Sequence, residues 1–127
     1  MNRARVLLAD DHPLVLARVT SVLEKNFDVV GVARDGEEMV AEALRLAPDV
    51  IVADISMPVM TGIEAAHHLR ERGCTARLVF LTVESSHSFV EACMAEGALG
   101  YVTKTHLKSD LPRAIEAALA GERLIVA

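Results

Sequence analysis

The sequence predicts an α/β fold built on a single five-stranded parallel sheet, with five helices packed on both of its faces. Short apolar runs, typical of strands buried in a parallel sheet, recur along the chain. Stretches with apolar residues at helical spacing separate these runs, and such alternation favours parallel strands joined by right-handed crossovers. The 127 residues suffice for one domain with a hydrophobic core of its own.

Ten segments follow one another in alternation, beginning with a strand. The predicted strands are the apolar runs at residues 6–9, 27–33, 50–53, 78–81 and 100–103. The predicted helices are residues 13–25, 35–46, 61–72, 86–96 and 109–120. The first helix begins at Pro13, a residue that the first turn of a helix accepts, and it places Leu16 and Leu23 on one face. The second helix directs Met39 inward and ends before Pro48.

The three later helices have recognisable boundary residues. Thr61 followed by Glu64 is the pattern of a capping box at the start of the third helix. Glycines end all three helices, at Gly73, Gly97 and Gly121. Residues 123–127 are mostly apolar, but we expect them to be too few to form an element of their own.

Polar residues stand at the ends of four of the predicted strands. For a chain of this length we expect the flavodoxin-like strand order 2-1-3-4-5, in which ligands bind outside the carboxyl ends of the strands. Asp10-Asp11, Asp54, Thr82 and Lys104 would meet there. Three neighbouring carboxylates repel one another and favour a bound cation. The constellation therefore suits Mg²⁺ and a phosphoryl group.

Each of these residues also has an ordinary structural explanation. Asp10-Asp11 could cap the first helix, Thr82 could reflect β-propensity, and Lys104 could be a solvated turn residue. An aspartate at the end of the central strand is harder to explain, because a buried carboxylate is costly without partners. All of these residues nonetheless fall at strand ends that are predicted to share one edge of the sheet, which favours a functional site there.

Composition excludes several classes of function. The net charge of −5 and the pI near 5.5 argue against nucleic-acid binding by charge alone. No apolar run approaches the roughly 20 residues that span a bilayer, so we expect no membrane partner. Cys74 and Cys93 lack metal-binding or redox-motif spacing and are interpreted as reduced thiols of a cytoplasmic protein.

Across nearly its whole length the chain resembles the receiver domain of a two-component response regulator. The motifs that carry the resemblance are Asp10-Asp11, residues 54–58 with Gly62, Thr82, and residues 101–104. Their spacing is also similar to that of the family. Residues 11–15, residues 54–58 and Gly100-Tyr101 further resemble the NarL/FixJ subgroup, whose receivers usually precede a DNA-binding helix-turn-helix domain.

The resemblance implies a phosphoacceptor and a magnesium site. Asp54 would accept a phosphoryl group from the phosphohistidine of a sensor histidine kinase. The Asp11 and Asp54 side chains and the Ser56 backbone carbonyl would hold Mg²⁺, and Asp10 would act through a bound water. The domain would not be an enzyme in its own right, although it would assist its own phosphorylation and autodephosphorylation.

The resemblance also implies roles for residues around the phosphoacceptor. Thr82 and Lys104 would contact the phosphoryl oxygens, and Tyr101 would turn inward when Thr82 moves onto the phosphate. Ser56 and Glu84 occupy the variable positions that tune dephosphorylation in this family. Lys104 is followed by Thr105-His106 where many receivers have proline, which leaves the conformation of that loop open.

The function implied is a phosphorylation-dependent switch that controls transcription. Residues 1–127 would form the receiver domain, a DNA-binding domain would lie outside them, and activation would produce a homodimer. The expected interaction surface comprises apolar residues of the fourth and fifth helices: Phe89, Val90, Met94, Leu111 and Ile115. The five dispersed histidines predict no metal site.

Three other functions are alternatives to the transcriptional switch. A single-domain phosphorelay protein would use the same residues for transfer alone. A small aspartate-based phosphohydrolase would want a carboxylate at Ser56 as its general acid, together with a substrate cap. A phosphorylation-independent interaction module usually lacks the Asp, the Thr or the Lys, and all three are present here.

Overall fold

The computed structural model describes residues 3–127 and contains one parallel sheet with the strand order β2-β1-β3-β4-β5-β6. The strands are β1 (Arg5–Ala9), β2 (Asp28–Ala33), β3 (Val50–Ala53), β4 (Arg77–Thr82), β5 (Gly100–Thr103) and β6 (Leu124–Val126). The helices are α1 (Pro13–Leu23), α2 (Gly36–Leu46), α3 (Gly62–Glu71), α4 (His87–Ala95) and α5 (Leu107–Leu119), with a 3₁₀ turn at Lys104–His106. The α/β class, the order of the first five strands and the five helices are confirmed.

Two apolar layers enclose the sheet, because successive side chains of a strand point to opposite faces. Leu7 and Ala9 of β1 pack in the cluster that contains α2, α3 and α4, whereas Val6 and Leu8 pack with α1 and α5. All four residues of β3 are buried. β3 is therefore covered on both sides by the two apolar layers.

Local capping explains where two helices begin. Asp35 precedes α2 and accepts a hydrogen bond from the Glu38 backbone N–H at 2.7 Å. Thr61 and Glu64 form the predicted capping box, with both reciprocal hydrogen bonds present at 3.1 Å. Such caps satisfy backbone N–H groups that have no partner inside the helix. The start of α3 is thereby fixed nine residues after the end of β3.

A sixth strand corrects the expectation of a five-stranded sheet. α5 ends at Leu119, the chain reverses at Gly121 with a φ of +76°, and the Leu124 backbone N–H donates to the Leu99 carbonyl at 2.9 Å. β6 then pairs in parallel with β5, with Tyr101 opposite Ile125. Three residues suffice because β5 already supplies an ordered partner, and edge strands are often very short. The expectation that residues 123–127 are too few to form an element is therefore wrong.

The start of α5 and its buried face also differ from expectation. α5 begins at Leu107, two residues before the predicted Ser109, because the buried Leu107 follows the 3₁₀ turn directly. Leu111 and Ile115 are completely buried, so the prediction that they belong to an exposed interaction surface is wrong. Amphipathic spacing marks the apolar face of a helix but does not show whether the domain's own sheet covers that face.

Two backbone features complete the description. Residues 3–127 contain no cis peptide bond, so the chain after Lys104 continues in the trans conformation. None of the described helices is long and apolar enough to cross a membrane.

Candidate functional site

The carboxyl ends of β1, β3 and β5 bring three charged residues together. Ala9 lies opposite Ala53 in the sheet, and the Asp54 backbone N–H donates to the Ala9 carbonyl at 2.8 Å. Asp10 and Asp54 are consequently neighbours on adjacent strand ends, each only 4% exposed. Lys104, the first residue after β5, reaches both of them.

Lys104 bridges the two buried carboxylates. Its Nζ atom lies 2.8 Å from Asp10 Oδ2 and 3.0 Å from Asp54 Oδ2. Burial acts to lower the pKa of Lys104, but the hydrogen bonds to Asp10 and Asp54 and their negative charges outweigh it, so the pKa is raised. The ammonium group therefore stays charged and offsets part of the carboxylate repulsion.

Backbone contacts fix the orientation of Asp54. Its Oδ1 atom accepts a hydrogen bond from the Ile55 backbone N–H at 2.7 Å, and the Ile55 carbonyl accepts one from the Gly62 N–H at 2.8 Å. A Cβ atom at Gly62 would lie 2.0 Å from the Asp54 carbonyl oxygen, far inside any permitted contact. Glycine is therefore required where α3 passes the backbone of Asp54.

The acidic pair after β1 forms a cluster with a histidine. Asp10 Oδ1 accepts the His12 backbone N–H at 2.9 Å, and His12 Nδ1 lies 3.0 Å from Asp10 Oδ1 and 3.1 Å from Asp11 Oδ1. His12 itself is the residue before α1, so neither aspartate caps that helix and the capping explanation is wrong. Sequence reasoning missed His12, and its position beside the acidic pair was the available signal.

The cluster has the donors of a divalent-cation site. Asp10, Asp11, His12 and Asp54 each offer a ligand atom, and these atoms lie within 4.8 Å of one another. Asp11 Oδ1 is buried and has no hydrogen-bond partner among the described residues, although His12 Nδ1 lies 3.1 Å away. An orphaned carboxylate oxygen beside two other carboxylates fits a hard cation.

Thr82 and Tyr101 are linked to each other through Glu84 rather than to the carboxylates. Thr82 is completely buried, and its hydroxyl accepts a hydrogen bond from the Glu84 backbone N–H at 3.3 Å. The Tyr101 hydroxyl donates to the Glu84 carbonyl, and the ring is completely buried. Burial is the main cause that raises the pKa of Tyr101 to about 12. The loop after β4 is thus tied to β5 by the Tyr101 hydroxyl and to the end of β4 by the Thr82 hydroxyl.

The remaining predicted residues lie at the periphery. Ser56 is exposed two residues beyond Asp54, and Glu84 is half-buried two residues beyond Thr82. Their tuning roles, and the Ser56 carbonyl as a metal ligand, stay predictions.

Comparison with known proteins identifies the family. The model of the response regulator receiver domain matches residues 6–116. The chain is 36% identical over 124 residues to the nitrate/nitrite response regulator protein NarL of Escherichia coli (strain K12), covering 96% of this chain and 57% of that protein. It is 37% identical over 123 residues to the response regulator GacA of Pseudomonas viridiflava, covering 95% of this chain and 58% of that protein.

Solved structures agree with the sequence comparison. A two-component response regulator of the LuxR family from Aurantimonas sp. SI85-9A1 superposes with a TM-score of 0.91 at 36% identity, covering 96% of this chain and 89% of that one. The signal receiver domain of the putative response regulator NarL from Mycobacterium tuberculosis also gives 0.91, at 27% identity, covering 96% and 100%. The chain spans 57–61% of the length of curated relatives that it matches. The protein therefore belongs to the receiver domains of two-component response regulators, with relatives in the NarL/LuxR group.

Proposed function

We propose that Asp54 accepts a phosphoryl group from a sensor histidine kinase and that this modification switches the conformation of a transcriptional response regulator. The observation that carries the proposal is the bridge from Lys104 to Asp54 and Asp10 at the sheet edge. A buried carboxylate that is hydrogen-bonded to an ammonium group can act as a nucleophile, because that positive charge offsets its repulsion from an anionic phosphoryl donor.

Phosphoryl transfer depends mainly on positioning and on neutralising charge. A carboxylate oxygen of Asp54 would form a bond to phosphorus as the bond from phosphorus to the histidine nitrogen breaks, and the released imidazole takes up a proton. The Ile55 N–H restrains the Asp54 carboxylate, and Lys104 Nζ lies where it can contact a phosphoryl oxygen. The product is an acyl phosphate on Asp54.

Mg²⁺ is the cofactor that the donor set favours. The Asp11 and Asp54 side chains and the Ser56 carbonyl would hold it, with Asp10 acting through a water. When bound, the ion supplies positive charge that lowers the repulsion between the carboxylate and the incoming phosphoryl group. The unpaired Asp11 Oδ1 atom supports this assignment, because a bound cation would give that buried oxygen a partner.

The hydrogen bonds around Glu84 suggest how phosphorylation is transmitted. If the Thr82 hydroxyl turns to a phosphoryl oxygen, it leaves the Glu84 N–H, and the Glu84 carbonyl that holds Tyr101 shifts with it. Such a ligand contact shifts a conformational equilibrium by its differential affinity for the two states. Glu84 and the exposed Ser56 would tune the lifetime of the acyl phosphate through access of water.

The output lies in the rest of a longer response regulator. Because the chain spans 57–61% of the length of its curated relatives, we infer that a DNA-binding domain follows the receiver in the complete protein. Phosphorylation would promote a homodimer, and DNA would be bound through that other domain in the cytoplasm. The acidic charge of the receiver itself favours this division of roles.

Phosphorylation by acetyl phosphate with Mg²⁺, followed by intact-mass analysis, tests the phosphoacceptor. We expect one phosphate adduct on the wild-type chain and none on Asp54→Asn, which keeps the side-chain volume but removes the nucleophile. Asp28→Asn, at an exposed aspartate at the start of β2, is the matched control and should label like wild type. Labelling of Asp54→Asn at the wild-type level would refute the assignment.

The switch is tested with Thr82→Ala in the presence of beryllofluoride. The variant should still accept phosphate, whereas the amide-exchange response of residues 83–86 should be lost because the hydroxyl contact couples charge to the loop. Thr75→Ala, at an exposed threonine, is the control. An exchange response in Thr82→Ala equal to that of the control would show that this coupling is wrong.

A further inference from the structure

The residues around Lys104 form a compact polar cluster at the end of β5. Thr103 Oγ1 lies 2.9 Å from His106 Nδ1 and 3.3 Å from Thr105 Oγ1, and Thr105 Oγ1 lies 3.3 Å from His106 Nδ1. Thr103 is only 5% exposed, although its side chain is polar. These three side chains, which we name the Thr-Thr-His clasp, connect the residues before and after Lys104.

The clasp restrains a turn whose backbone contains no proline. A proline ring would fix the φ angle of its residue, whereas Thr105, the residue after Lys104, can rotate about that bond. The Thr103–His106 contact closes across the 3₁₀ turn, where the Leu107 backbone N–H donates to the Lys104 carbonyl. The residues before and after Lys104 are thus tied together, which restrains the Lys104 backbone.

The position of that backbone determines where the lysine charge lies. Lys104 Nζ has two acceptors, Asp10 Oδ2 at 2.8 Å and Asp54 Oδ2 at 3.0 Å, and both contacts depend on where the Lys104 backbone directs the side chain. Displacements of about 1 Å are enough to lose much of the benefit of a positioned catalytic group. A loosened turn would therefore weaken the contact of Lys104 with both the carboxylates and a phosphoryl group.

We propose that Thr103 and His106 are positioning residues for phosphoryl transfer, acting through Lys104. This inference rests on the proposed function, because it assumes that Lys104 assists transfer to Asp54. Thr105 contributes the weaker contacts of the clasp, and the Thr103–His106 pair is its principal interaction.

The first test measures the rate of phosphorylation by acetyl phosphate. Thr103→Val and His106→Ala should each slow labelling about fivefold to tenfold, the change expected from one lost hydrogen bond. Thr103→Ser and His106→Asn retain a polar atom near the original position and should restore most of the rate. His68→Ala, at an exposed histidine of α3, controls for loss of an imidazole elsewhere.

The second test asks whether the clasp acts through Lys104, using Mg²⁺ binding as the measurement. His106→Ala should tighten Mg²⁺ binding about threefold, because a displaced ammonium group repels the cation less. In a Lys104→Met background the same substitution should leave Mg²⁺ affinity unchanged, since two changes in one chain of contacts are not additive. Mg²⁺ titration followed by NMR gives the dissociation constants even where phosphorylation is slow.

Clear outcomes overturn the proposal. A positioning role is refuted if Thr103→Val and His106→Ala both label at the wild-type rate. It is also refuted if His106→Ala changes Mg²⁺ affinity equally in the wild-type and Lys104→Met backgrounds. Failure of the conservative variants to restore the rate would indicate a general structural effect and would also refute it. If Asp54 is not the phosphoacceptor, Asp54→Asn labels like wild type, which distinguishes failure of the proposed function from failure of this inference.

Discussion

Replacing Lys104 by methionine tests the electrostatic balance of the site. Methionine keeps an unbranched side chain of similar length but removes the charge that bridges Asp10 and Asp54. Both carboxylates are 4% exposed, and they would be left facing each other and Asp11 without a positive partner. The protein should therefore lose stability and gain affinity for cations.

The structure sets the size of both effects. Removing one partner of a buried ion pair lowers the free energy of unfolding by about 3–5 kcal/mol. Because the Lys104 side chain is 13% exposed, we expect a loss near the low end of that range, about 3 kcal/mol. A Mg²⁺ concentration ten times the dissociation constant stabilises the wild type by about 1.4 kcal/mol. If loss of the repelling ammonium tightens binding on the order of tenfold, the same concentration stabilises Lys104→Met by about 2.7 kcal/mol.

Urea unfolding with EDTA and with Mg²⁺ measures these free energies. Lys104→Met should be about 3 kcal/mol less stable than wild type in EDTA, and Mg²⁺ should remove about 1.3 kcal/mol of that deficit. Lys108→Met, at an exposed lysine of α5, is the matched control and should change little. A deficit in EDTA no larger than that of the control, or equal Mg²⁺ stabilisation of both proteins, would refute the reasoning.

Three further predictions concern single residues around the site. Asp11→Ala should stabilise the metal-free protein by about 1 kcal/mol, because it removes an unpaired buried oxygen. The same variant should lose the stabilisation by Mg²⁺ in thermal melts, and an unchanged shift of the melting temperature with Mg²⁺ would count against the magnesium site. Tyr101 is the one tyrosine and the chain has no tryptophan, so tyrosinate absorbance should titrate near pH 12 in the folded protein and near 10 in urea. Because folding raises this pKa, the buried neutral Tyr101 side chain contributes its full stabilisation of the protein below about pH 10, and this contribution is lost as the pH rises through about 12. A folded-state midpoint near 10 would contradict the burial of Tyr101. Gly62→Ala should destabilise by about 2–4 kcal/mol in urea unfolding because its Cβ clashes with the Asp54 carbonyl, and wild-type stability would show that α3 can move away.

The sequence predicted most of the fold because its signals are local. Apolar runs and helical spacing follow from the periods of strands and helices, so the first five strands and the five helices could be located from composition and pattern alone. The same reasoning placed Asp10, Asp54 and Lys104 at one edge, since parallel strands end together. The ion pairs at 2.8 and 3.0 Å bear out that placement for these three residues.

Two of the features that the sequence analysis missed depend on partners that are distant along the chain. Residues 124–126 form a strand only because β5 offers them an ordered edge, and Leu111 and Ile115 are buried because the sheet covers that face of α5. His12 belongs to the carboxylate cluster because the turn after β1 directs its ring back to Asp10 and Asp11.

The sequence by itself determined the order in which the elements follow and the polar residues that stand at the strand ends, because both depend on residue type and local period. Tertiary structure alone decided that Tyr101 is inward and bonded to the Glu84 carbonyl, and that Thr103 and His106 close the turn around Lys104. A hydrogen bond requires two groups to meet within about 3 Å at a suitable angle, and groups on different elements, such as Tyr101 and Glu84, reach that distance only when the elements pack together.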